Sequence, residues 1–96
     1  MRYFHRMHIP LDDVVAEAER YFGAGFQQTA ADGRTRTFEG TIGKVTVTVR
    51  AEGGHYTLVT VTTDQVGESE LDKLAKRFLS VLHAKTHEGH EVRGAY

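Results

Sequence analysis

The chain has no cysteine, no tryptophan, one proline and no long apolar run. Without cysteine there is neither a disulfide framework nor a thiolate metal site. A reducing cytoplasm suits such a chain, and the cytoplasm is the expected compartment. No stretch approaches the ~20 apolar residues of a membrane span. The opening MRYFHRMHIP has no apolar block of the secretory kind. Neither sign of charge dominates: 12 basic against 13 acidic residues leave −1. That balance argues against a general polyanion binder. The six histidines qualify it, since protonating all of them adds six charges and carries −1 to +5. The chain therefore turns cationic near about pH 5. Also missing are G-x-S-x-G, a P-loop and G-x-G-x-x-G. Gly23-Ala24-Gly25 follows a helical pattern rather than a strand, the wrong setting for a dinucleotide. There is no internal repeat and no low-complexity segment. Ninety-six residues fit a single domain, 1–96, with a modest core of its own.

What is present is periodicity. Residues 3–9, YFHRMHI, alternate as a strand, with Tyr3, His5, Met7 and Ile9 on one face and Phe4, Arg6 and His8 on the other. Pro10 ends it. PLDDVVAEAERYFG then places Leu11, Val14, Val15, Ala18 and Phe22 in one apolar stripe of a helix. Asp12 and Asp13 sit in its first turn, where the helix dipole favours anions. Gly23 suits a left-handed C-cap, and residues 23–33 read as a loop. Three strands follow, at 34–41, 44–51 and 55–63. A first turn at Ile42-Gly43 pairs Thr41 with Lys44 and sets Phe38 opposite Val47. A second turn of three residues, Glu52-Gly53-Gly54, sets Val47 opposite Val59 and Val45 opposite Val61. A two-residue Gly53-Gly54 turn would instead split the valines between faces, because a one-residue slip reverses a strand. The last element, SELDKLAKRFLSVLHAKTH, is helical. Its stripe is Leu71, Leu74, Ala75, Phe78 and Leu82, and Ser69 with Asp72 resembles a capping box. Gly89 is the expected stop, with 89–96 a loose tail. The fold class expected is α+β, ordered β-α-β-β-β-α, an antiparallel sheet with both helices on its valine face.

This order resembles a shortened helix-grip fold, as in START-like ligand-binding domains. The strand ending in HIP, the helix after it, the meander and the long C-terminal helix carry the likeness. It covers most of the chain, as architecture. What it implies is a small apolar ligand. Half of a TATA-box-protein-like unit has a similar order.

With the valines under the helices, the other face carries Thr46, Thr48, Arg50, Tyr56, Leu58, Thr60 and Thr62, extended by Thr35, Thr37 and Glu39. Three readings compete for it. Threonine has high β propensity and tolerates water, so the face can simply be solvated. It can be a subunit interface anchored by Leu58 and Tyr56, since a small one-sided sheet is marginal alone and symmetric dimers are common. Or it can stack nucleic-acid bases, which Tyr56 and Arg50 alone support poorly. A homodimer that binds a small apolar ligand or a partner protein is the leading expectation; nucleic acid and membrane are not expected.

The tail LHAKTHEGHEV supplies the main alternative. His83 and His87 stand four apart, the spacing with which a helix offers two imidazoles to one metal. His90 with Glu88 or Glu91 would complete a zinc or nickel set. At ~100° per residue, His83 lies about 120° and His87 about 160° from the stripe centre. Both point outward, the character of a solvated face or an adventitious ion more than of a cleft-bound catalytic metal. His5 and His8 face opposite ways, and His55 flanks the glycine turn. The pairs Asp12-Asp13 and Glu68-Glu70 are explained by helix first turns, and Ser69 by capping. Arg34 and Arg36 suit an ion pair with Glu39, Glu52 or a partner. No catalytic set emerges, so a non-enzyme is the better reading.

Overall fold

Strict alternation makes two-faced ribbons, and a 3.6-residue period makes one-striped helices. The computed structural model describes the backbone of residues 1–92 and the side chains of residues 1–85. Its elements are β1 (Arg2–Met7), α1 (Leu11–Gly23), β2 (Gln27–Asp32), β3 (Thr35–Gly40), β4 (Gly43–Glu52), β5 (Tyr56–Thr63) and α2 (Glu70–Val92). The five strands form one antiparallel sheet in the order β1-β5-β4-β3-β2. The protein is α+β, with both helices on the valine face, as the periodicity predicts. Val45, Val47, Val49, Val59 and Val61 are all buried, together with Val14, Ala18 and Phe22 of α1 and Leu71, Ala75, Phe78 and Leu82 of α2. Phe22 sits at the centre of this layer. Its ring stacks on Phe38 at 5.5 Å and meets Phe78 at 5.2 Å.

Several expectations are corrected. The loop expected at 23–33 contains a strand, β2, which is exposed along its whole length and lies at the sheet edge. QQTAAD carries no apolar alternation, so nothing local announces it; its pairing with β3 does. Helix α1 does not end on a left-handed glycine. Ala24 keeps right-handed geometry, and the amides of Gly25 and Phe26 both donate to the Phe22 carbonyl. Helix α2 runs through Gly89 to Val92, since one glycine inside a helix costs only about 1 kcal/mol. The rest of the expected tail, 93–96, lies outside the described residues.

Both hairpin registers are shifted by two residues from the expected ones. Phe38 faces Val45, not Val47, and Gly40 pairs with Gly43 around a Thr41-Ile42 turn. Val47 faces Val61 and Val49 faces Val59, around a three-residue Gly53-Gly54-His55 turn. A shift of two preserves the faces, so the valines stay inside in either register. In α2, Leu74 is only half-buried among Glu70, Lys73 and Arg77, whereas Asp72 is fully buried. Arg34 and Arg36 reach α1, pairing with Asp12 at 3.2 Å and Glu19 at 2.8 Å rather than with Glu39 or Glu52.

Candidate functional site

Residues directly opposite one another in an antiparallel pair share a face. The registers therefore assemble a grid of six threonines on the side away from the helices. Thr35, Thr48 and Thr60 form one row; Thr37, Thr46 and Thr62 form the next. The hydroxyls of Thr37 and Thr46 are 3.3 Å apart, and those of Thr35 and Thr48 are 3.5 Å apart. The threonines thus touch each other across strands. Arg50 lies opposite Leu58, and Tyr56 opposite Glu52, on the same face. All six residues singled out from the sequence, Thr46, Thr48, Arg50, Tyr56, Leu58 and Thr60, are brought together here.

Pairing of β1 with β5 adds residues that sequence reasoning missed. Arg2, Phe4 and Arg6 stand opposite Thr62, Thr60 and Leu58, so they extend the outer face. Phe4 is 58% exposed, and Tyr56 is 46% exposed. The Arg6 guanidinium lies 5.9 Å from the Phe4 ring and pairs with Glu52. The alternation of Arg2, Phe4 and Arg6 was readable; the neighbour that gives it meaning was not. Arg2 and Arg50 line a shallow hollow of about 330 Å³ with Thr48, Leu58, Thr60 and Thr62. Among the described residues no carboxylate pairs with either arginine. At the opposite edge the face turns acidic, with Glu39 and Asp32 opposite Lys44 and Thr35. The outer face is therefore a neutral hydroxyl field between a basic rim and an acidic one.

No protein-family model matches this chain, and no curated protein matches it.

Beneath the helices the inner face is filled. Its valines and phenylalanines pack to near-zero exposure against both helices. A hollow of about 410 Å³ opens at the sheet end, where His8, His55 and Tyr56 meet Ile9, Pro10 and Leu11. His8 and Tyr56 are in ring contact there, with centres 4.7 Å apart.

The histidines of α2 divide. His83 is exposed, as its helical angle predicts, but it lies against His5 of β1, with ring centres 5.4 Å apart. The side chains of His87, His90, Glu88 and Glu91 lie outside those described. Among the described residues no group of three or more histidines and carboxylates is placed to hold a metal.

One polar cluster is internal. Asp72 accepts hydrogen bonds from the hydroxyls of Thr63 at 2.8 Å and Ser69 at 2.7 Å, while its own amide donates to Ser69 Oγ. Burial works against its charge, but hydrogen bonds from Ser69, Thr63 and Tyr3 and the nearby N-terminal ammonium outweigh it. The carboxyl is held below its ordinary range. Tyr3 is shifted up, first by burial and then by Asp72. Among the described residues no buried side-chain nitrogen or oxygen is left without a partner, and the cluster braces α2 against β5 and β1.

Proposed function

We propose that this protein is a non-enzymatic association module whose outer sheet face receives a second copy of the chain. The observation that carries the reading is the face that no described residue covers, with Phe4 and Tyr56 exposed and Leu58 between the two strands that bear the arginines. Its charge pattern favours a like partner. A two-fold axis running along the strands lays the β1 rim of one copy over the β3–β2 rim of the other. Arg2 then approaches Glu39 and Asp32, opposite charges across an isologous contact. The result is a two-sheet sandwich with the four helices outside, the layered arrangement that buries sheet faces. Its place is the cytoplasm, which a chain without cysteine suits; among the described residues no helix is long and apolar enough to cross a membrane. The START-like likeness stands as a proposal about architecture, supported by the long C-terminal helix lying on β1, β5 and β4.

Sedimentation or light scattering at tens of micromolar tests the reading. The expected mass is twice the 10.7 kDa of one chain. Leu58→Asp should return it to a monomer, and Leu74→Asp, on the outer side of α2, should leave the dimer intact. A monomer at all concentrations, or a dimer indifferent to Leu58→Asp, overturns the proposal. Saturable binding of a small apolar molecule or of single-stranded nucleic acid to a monomer would assign the same face to a different occupant.

A further inference from the structure

His5 and His83 are 78 positions apart in the chain, yet their rings meet edge to face, with centres 5.4 Å apart and planes at 89°. Each is set by a rigid element. His5 stands opposite Val59, on the face of β1 that also carries Met7, 3% exposed. His83 follows Leu82, which is fully buried. The packing of these neighbours fixes where the two imidazoles emerge, so the pair is positioned without depending on itself. Both rings remain open to solvent.

Each neutral imidazole has one nitrogen lone pair to give. On a tetrahedral ion with metal–nitrogen bonds of ~2.0–2.1 Å, two imidazole centres stand about 5 Å apart. The observed separation of 5.4 Å fits that spacing, and turning an exposed ring about χ2, away from the edge-to-face arrangement, brings both lone pairs onto one ion with little movement of the centres. We infer that His5 and His83 form a two-imidazole site for a divalent transition metal of the class imidazole suits (zinc, nickel or copper). The ion bridges β1 and α2, and water completes its coordination, since the described residues offer no third donor. This site differs from the helix-borne set His83, His87 and His90 in taking its second ligand from the first strand. It lies on the helix side of the sheet, so it is independent of association through the outer face.

The test uses untagged full-length chain stripped with a chelator. At zinc or nickel concentrations about tenfold above the dissociation constant, the Tm should rise by about 5 °C and fall back with EDTA. His5→Gln and His83→Gln should each abolish the rise, while His55→Gln retains it. Electron paramagnetic resonance of the copper(II) complex should show coupling to two imidazole nitrogens, and to one in either variant. Absence of saturable metal binding by calorimetry overturns the inference. So does metal stabilisation that persists undiminished in His5→Gln, which would return the site to the helix alone.

Discussion

At the scale of single residues, Asp72 and Gly43 carry the clearest consequences. Asp72 is a charged group in an otherwise apolar layer, and its acceptors satisfy Thr63 and Ser69. Asp72→Ala should cost about 1–3 kcal/mol in urea unfolding at pH 7, because the buried Thr63 hydroxyl and the half-buried Ser69 hydroxyl lose their partner. Its folded-state pKa lies below the unfolded value of ~3.9, so its contribution is complete above that value. The contribution fades as pH falls through the folded-state pKa. The gap between wild type and Asp72→Ala should therefore narrow in melts taken from pH 7 to pH 2.5; a gap that widens in acid contradicts the assignment. Gly43 has φ +135, and a Cβ there would lie 2.7 Å from Asp64 Oδ1 and 2.8 Å from Leu71 Cδ2. Gly53 has φ +64 but open space around it. Gly43→Ala should lower the Tm more than Gly53→Ala does, since it adds a collision to backbone strain.

At the scale of elements, the strands are unequal. β4 is flanked on both sides and its valines are buried, whereas β2 is an exposed edge with an irregularity between Gln28 and Ala30. That irregularity interrupts the edge's pairing pattern, a common protection against adding a further strand. Amide hydrogen exchange should show β2 opening locally and β4 protected nearly to the global limit; equal protection would contradict the assigned edge. Phe22 of helix α1 is buried between Phe38 of β3 and Phe78 of α2. Phe22→Ala should cost about 3–5 kcal/mol, measured by urea unfolding. The helices were readable from their stripes because each stripe is local. The exceptions are instructive: Leu74 keeps the spacing of the stripe yet lies beside Lys73 and Arg77, while Asp72 enters the core because Thr63 and Ser69 receive it.

At the scale of the whole molecule, the valine layer is closed by two helices and the threonine layer by nothing among the described residues. If a second copy covers that layer, stability is linked to association. The Tm should then rise with protein concentration and lose that dependence in Leu58→Asp. A Tm constant over a hundredfold range of concentration would separate folding from association. The site residues on β4 and β5 were legible in the sequence, since alternation alone sends Thr46, Thr48, Thr60 and Thr62 to one side. Phe4, Arg2 and Arg6 were not, because their place on that face depends on β1 lying beside β5 across more than fifty residues of chain.

By itself the sequence determined which side chains point together: valines in, threonines out, one apolar face on each helix. These follow from periods of two and 3.6, which neighbouring residues define without reference to the rest of the chain. Only the tertiary structure decided which residues stand opposite one another. A strand pattern of period two is unchanged by a slip of two, so Phe38 against Val45 or Val47 reads alike until packing chooses. The same holds for the Asp72 brace, the strand at Gln27–Asp32 and the meeting of His5 with His83. Each arises from contacts between distant segments, and no local period encodes them.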